Sequence, residues 1–267
     1  MLVTSWVGMH LATDHFVPLN TFIFGTVGIA LAGSSAAVIN HLVDRHIDAK
    51  MIRTEHRPLA CKRITISHAI LFSFLLGISG LFILGFFVNI LTAFLTLMTV
   101  LGYAVLYTLF LKRSTPQNIV IGGAAGAMPP LLGWTAVSND IGAFAWLPVL
   151  IIFAWTPPHF WALAIYRKDD YIKANIPMLP ATHGVAFTKL FIVLYTILLF
   201  LVTLLPFVTK MSGFLYFISA VLLNSAFLIQ TIILYRSQDP KVALKTFSFS
   251  ILYLLLLFTA LLIDHYV

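Results

Sequence analysis

Asn40, Asp44 and Asp48 recur at four-residue intervals, the spacing that puts side chains on one face of an α-helix. One amide and two carboxylates in a column are hard oxygen donors. They suit Mg2+, which takes one or two protein carboxylates and completes its shell with water and substrate phosphates. Bases follow the acids at once: Lys50, Arg53 and Arg57, the last two again four apart. Carboxylates alone would describe a divalent-cation site, and bases alone a patch for lipid headgroups. The two in succession describe a site for a diphosphate, bridged to the carboxylates by metal and held by guanidinium forks. A solvated loop whose charges pair with one another has the same composition, and this stretch alone does not separate the two.

A second stretch, "IYRKDDYIKANIPMLP" at 165–180, repeats the combination. Asp169 and Asp170 are adjacent there, flanked by Arg167, Lys168 and Lys173. Five of the nine acids of the chain lie in these two stretches, so together they would form a two-metal clamp for a diphosphate. Lys112 and Arg113, just beyond Tyr107, add a third basic group, which ordinary loop charge explains equally well.

The elements that must position these groups are membrane helices. Only 9% of the 267 residues are charged and the mean hydropathy is +1.00, against about 25% charged residues in soluble domains. The apolar runs are long and unbroken, as helices that cross a bilayer require, rather than alternating as in barrel strands. Eight spans are expected, at 18–43, 68–88, 90–111, 119–137, 144–166, 190–208, 212–235 and 246–263. The continuous run from 69 to 111 is divided by a tight hairpin at Asn89. Residues 1–12 are apolar but only half a span long, with no basic leader region. They read as the C-terminal half of a first helix that begins upstream.

Fifteen of the sixteen lysines and arginines fall in alternate loops and only Lys210 falls in the others, which predicts that the motif loops face the cytoplasm. The excess positive charge thus belongs to membrane topology, and nucleic acid is not an expected partner. The single cysteine, Cys61, excludes an internal disulfide. No loop is long enough for a second domain, so one transmembrane domain over 1–267 is expected.

"NHLVDRHIDAKMIRTEHRPL" resembles the first motif of the UbiA superfamily of intramembrane prenyltransferases. "YTLFLKRSTPQNIVIGGAAGAMPPLLGW", "FAWTPPHFWALAIYRKDDY" and "IPMLP" are similar to the members of that superfamily that farnesylate heme. The resemblance covers the chain from about residue 12 onward. It implies an all-α integral membrane fold, a bundle of nine transmembrane helices around a central cavity, with the first helix truncated in this sequence.

It further implies that Asn40, Asp44, Asp48, Asp169 and Asp170 are the catalytic, metal-holding residues and that Mg2+ is the cofactor. Arg53, Arg57, Lys112, Arg113, Lys173 and Tyr107 would contact the diphosphate or the heme propionates. The implied substrates are farnesyl diphosphate and heme B, in a bacterial cytoplasmic membrane. A downstream heme-modifying enzyme or the terminal oxidase assembly would be a partner.

His159 follows Pro157–Pro158, a pair expected to break the helix and expose backbone inside the membrane, as happens where a cavity is lined. There it would ligate heme iron or bond a propionate, or else serve as a hydrogen-bonded histidine between helices. Two other functions fit parts of the pattern. A prenyltransferase with another acceptor, such as 4-hydroxybenzoate, would keep the acids but not need the His159 region. A transporter would place its ionisable groups nearer the membrane midplane.

Overall fold

The computed structural model describes residues 1–111 and 114–267, and among these it contains helices and turns but no strand. Lys112 and Arg113 lie outside the described residues. In chain order the helices are α1 (Leu2–Leu11), α2 (Leu19–Asp48), α3 (Ile66–Phe87), α4 (Ile90–Leu101), α5 (Asn118–Gly126), α6 (Pro129–Ser138), α7 (Trp146–Tyr166), α8 (Lys168–Lys173), α9 (Leu179–Thr182), α10 (Val185–Val208), α11 (Phe214–Arg236) and α12 (Pro240–Tyr266). A π-helical stretch, Gly102–Leu111, continues α4.

Seven helical segments of the described residues are long and apolar enough to cross a membrane. The shorter α4 with its π-helical extension covers the remaining expected span, 90–111. All eight expected spans therefore have a helical counterpart, while α1 has only ten residues. The expected count of nine transmembrane helices is not reproduced among the described residues.

The described residues divide into two compact units. The first comprises 1–141 and 169–177, the second 142–168 and 178–267.

In the first unit, α2 packs along α3 through small residues. Ser35 Oγ donates to Ser73 O at 2.8 Å, and a methyl group at Gly80 would collide with the α2 backbone at Gly28 and Ala32. Small residues at such crossings let backbones approach where lipid offers helices no hydrophobic drive to associate. α1 lies against α6 in the same way: Gly8 faces Pro130 O and Gly133 faces Ser5 O, with no room for a Cβ at either. The hairpin predicted at Asn89 is present. Its side-chain oxygen caps α4 by accepting from Thr92 N at 2.8 Å, while Nδ2 donates to Thr135 O on α6.

The membrane span at 118–138 is broken between α5 and α6, where Pro129 and Pro130 start the second half. The break expected at Pro157–Pro158 does not occur, and α7 runs unbroken through both prolines. A proline in a first helical turn costs no hydrogen bond, whereas interior prolines must be held by their surroundings. α12 supplies that hold in the second unit: Trp155 Nε1 donates to Ser250 O at 2.9 Å, and His159 Nδ1 lies 2.7 Å from Ser250 Oγ.

The rest of the second unit is tied by a buried polar network. Tyr216 Oη donates to Thr203 O, Asn224 Nδ2 donates to Thr203 Oγ1, and Tyr253 Oη donates to Asn224 Oδ1, all between 2.7 and 2.8 Å. These bonds join α10, α11 and α12 through buried side chains.

Candidate functional site

α2 does not stop at residue 43, the edge of the expected span. It continues to Asp48, so the whole acid column stands on one rigid helix. Asp44 is 0% exposed, Asp48 is 3% exposed, and Asn40 is half-buried. Ionised carboxylates this deeply buried need a compensating cation or strong hydrogen bonds.

For Asp48 the compensation is visible. Arg57 Nη1 lies 3.0 Å from Oδ1 and 2.9 Å from Oδ2. The turns after α2 bring Arg57 back: Thr54 Oγ1 donates to Asp48 O at 3.1 Å, and Arg57 N donates to Thr54 O at 3.0 Å. Arg57 is thus paired with a carboxylate of the column itself. Arg53 and Lys50 are exposed beside it.

The π-helical stretch faces the column. Asn40 Nδ2 donates to Thr108 Oγ1 at 3.3 Å, and Thr108 Oγ1 donates to Tyr103 O at 2.8 Å. Tyr103 and Tyr107 stack with ring centroids 5.5 Å apart. Tyr103 lies within electrostatic reach of Asp44 and Arg57, and Tyr107 within reach of Asp44 and Tyr171. The Tyr107 ring occupies the space a Cβ at Gly122 would need, so the glycine of α5 seats the tyrosine.

Tyr171 belongs to α8, the helix of the second acidic motif, and is itself buried. The acid column and α8 thus each place a residue, Asp44 and Tyr171, within electrostatic reach of Tyr107. Within α8, Asp170 is 7% exposed, whereas Asp169 and Lys173 are exposed. The adjacent pair thus divides into one buried acid and one exposed acid, since neighbours on a helix point about 100° apart.

Below the column, on the same face of α2, lies an apolar cavity of about 310 Å3. Ile29, Gly33 and Ala36 of α2, Thr96 and Tyr103, and Gly126 of α5 are among its walls. Gly126 has no neighbour within 4 Å of where a Cβ would stand, so its missing side chain is part of the free volume. The broken span 118–138 lines this cavity with Gly126 and Pro129, the setting in which irregular backbone is tolerated at membrane depth.

Among the described residues no three His, Cys, Asp or Glu side chains gather into a ready-made metal cage. The five-residue metal set is therefore not pre-assembled. The donor set still fits Mg2+: two buried carboxylates one helical turn apart, with an amide one turn further, match an ion that leaves most of its positions to water and phosphate.

His159 stands in the second unit. It is buried, bonded to Ser250, and sandwiched between Trp155 and Phe247, with ring centroids at 4.1 and 4.5 Å. These contacts match the interhelical histidine of the two readings. Trp161, fully buried against Phe191 and Tyr195, is core packing. Tyr103, Thr108 and Tyr171 were not evident from the sequence as site residues. The four-residue interval from Tyr103 to Tyr107 is the one signal that could have marked the first.

A model of the UbiA prenyltransferase family matches residues 1–261. The protoheme IX farnesyltransferase of Teredinibacter turnerae is 60% identical over 266 residues, covering 100% of this chain and 86% of that protein. The protein of the same name from Stutzerimonas stutzeri is 59% identical, covering 100% and 89%. Among solved structures, a digeranylgeranylglyceryl phosphate synthase superposes with a TM-score of 0.83 at 19% identity, covering 99% of this chain and 92% of its own. A UbiA homologue from Archaeoglobus fulgidus, bound to DMAPP and Mg2+, gives 0.66 at 14% identity, covering 97% and 94%. These structures share the fold.

Proposed function

Since this chain belongs to the UbiA prenyltransferase family, we propose that it transfers the farnesyl group of farnesyl diphosphate to a vinyl group of heme B. The observation that carries the reading is the buried Asn40–Asp44–Asp48 column at the head of an apolar cavity on the same helix face. An ionic head and a hydrocarbon tail need those two surroundings in that order. The similarity to protoheme IX farnesyltransferases along the whole chain supports heme as the acceptor.

Asn40, Asp44 and Asp48 would hold Mg2+, with Asp170 closing the site from α8. When bound, the metal supplies Lewis-acid withdrawal of charge from the leaving diphosphate. Arg57 is the residue placed to exchange partners, turning from Asp48 to a phosphate oxygen as the substrate arrives. Arg53, Lys173, Lys112 and Arg113 supply further positive charge at the loops around the column. Tyr107 and Tyr103 border the point where head and tail meet.

The C1–O bond breaks with its electron pair leaving on the diphosphate. The farnesyl cation is shielded from bulk water by the apolar walls and lies near aromatic faces that favour positive charge. The vinyl π pair then bonds to C1, leaving a cation beside the macrocycle. Water adds to that cation and loses a proton, giving a hydroxyethylfarnesyl group and inorganic diphosphate. His159 would serve as a packing residue between α7 and α12, bonded to Ser250 through Nδ1 and stacked between Trp155 and Phe247. The motif loops face the cytoplasm in this reading, as the loop charges favour.

The test is incubation of the purified protein in detergent with heme B, farnesyl diphosphate and Mg2+, followed by mass spectrometry. The expected product is heme enlarged by one farnesyl group and one water, lost with EDTA and in Asp44→Asn. Prenylation of 4-hydroxybenzoate with heme left untouched would overturn the acceptor. Product formation undiminished in Asp44→Asn would overturn the site.

A further inference from the structure

The cavity beneath the acid column follows one stripe of α2 downward. From Asn40 the stripe passes Ala37, Ala36 and Gly33, small residues that leave the space open, and then meets the branched side chain of Ile29. Leu132 of α6 borders the same space. Ile29 and Leu132 are only 2% and 3% exposed, and both belong to a buried cluster with Met9, Leu84, Ala93 and Ala136. One turn further along α2 the helix face is filled, because Met9 Cε takes the place a Cβ at Gly25 would need. The cavity therefore has a floor, and Ile29 and Leu132 form its upper surface.

We infer that Ile29 and Leu132 set the length of the prenyl chain, admitting three isoprene units and refusing a fourth. The inference rests on the function proposed above and names the residues that decide which diphosphate the site takes. α2 is one continuous helix from Leu19 to Asp48, so it serves as a scale. Asn40, the foot of the column, and Ile29 are eleven residues apart, or about 16 Å at about 1.5 Å per residue. With carbon–carbon bonds of about 1.5 Å, each isoprene unit advances an extended chain by about 4–5 Å. Three units occupy about 14 Å and four about 18 Å on that scale.

The fourth unit would have to enter the cluster below the floor. Interiors are packed as densely as organic crystals, so an added group there forces its neighbours out of place. A tail of two units stops short of Ile29 and leaves the lower cavity without contacts on one side. In apolar pockets a single methylene more or less already changes the rate about 10–200-fold, so a whole unit in either direction is enough to select farnesyl. On the facing wall Gly126 offers a way to shorten the scale. Nothing lies within 4 Å of the position its Cβ would take, so a side chain there enters the cavity and collides with no other part of the protein.

The experiment offers the full chain in lipid nanodiscs equal amounts of geranyl, farnesyl and geranylgeranyl diphosphate, with Mg2+ and heme B, and counts the prenylated hemes by mass. Binding of each diphosphate with Mg2+ alone is measured beside it by thermal shift, without heme. Wild type is expected to favour farnesyl over both others by about tenfold or more. Ile29→Ala and Leu132→Ala open the floor and should raise the geranylgeranyl-to-farnesyl ratio about tenfold. Gly126→Leu fills the cavity and should raise the geranyl-to-farnesyl ratio by a similar factor. That variant leaves the buried cluster intact, so it reads the scale even where loss of Ile29 or Leu132 weakens folding.

Wild type that takes geranylgeranyl as readily as farnesyl would overturn the inference. So would a length preference that stays the same in Gly126→Leu and in whichever floor variants fold. If no prenylated heme forms with any diphosphate while binding keeps the expected order of lengths, the proposed acceptor fails and the floor stands as the determinant of chain length.

Discussion

Arg57→Gln separates the two duties assigned to this residue. Arg57 Nη1 sits 2.9 Å from Asp48 Oδ2, and the two side chains are 27% and 5% exposed. At an effective dielectric of about 20, two unit charges at that distance attract by about 6 kcal/mol. Much of this is offset by removing both ions from water, so a net coupling of about 2 kcal/mol is expected. Arg57→Gln alone leaves the Asp48 carboxylate buried without its counter-charge, and Asp48→Asn alone leaves the guanidinium beside a neutral amide. The double variant removes both and should recover much of the loss.

The assay is a double-mutant cycle on thermal unfolding in detergent, without Mg2+ or substrate. A loss of about 2 kcal/mol corresponds to a fall in Tm of about 4–8 °C for a chain of this size. Mg2+ with farnesyl diphosphate should restore more stability to Arg57→Gln than to wild type, because in that variant Asp48 has gained a cation that it otherwise lacked. Losses that add within about 0.5 kcal/mol across the cycle would refute the coupling. Equal stabilisation of both proteins by substrate would refute the exchange of partners.

The two acids of the second motif should behave differently despite being adjacent. Asp170→Asn should lower kcat/KM for farnesyl diphosphate by about a hundredfold or more, in the range of losing a preorganised charge at a reacting centre, while Asp169→Asn changes it by less than about threefold. Steady-state kinetics on both variants is the check. Gly122→Leu must displace the Tyr107 ring, and overpacking of that kind costs about 1–3 kcal/mol; a lower Tm and reduced turnover are expected together. Asn224→Leu breaks the polar network of the second unit and should cost about 1–2 kcal/mol, measured as a Tm decrease in nanodiscs.

The acid column is legible in the sequence because a four-residue period needs nothing but one helix to become a face. The helical class and the hairpin at Asn89 are legible for the same local reasons. The partner of Arg57 is not, since it depends on how the turns after Asp48 fold back through Thr54, a path with no period to read. The two proline pairs carry the same sequence signal and opposite outcomes. Pro129 and Pro130 begin a helix next to a cavity, while Pro157 and Pro158 are carried through one by contacts to Ser250, ninety-odd residues away. The adjacent acids Asp169 and Asp170 look equivalent in one dimension and separate only once α8 is wound and one side of it is buried.

The carboxylate of Asp264 accepts from the backbone N–H groups of Gly213 and Tyr216, at the start of α11. That start therefore borrows its cap from a residue about fifty positions later, on α12. While the chain is being made, α11 emerges first, with its leading amides unmet and with Asn224 lacking the hydroxyl of Tyr253. Neither need is filled until α12 has left the ribosome and entered the bilayer. The second unit is thus built to close from its far end, and a nascent chain arrested before residue 264 would hold α11 in the membrane without the cap at its start.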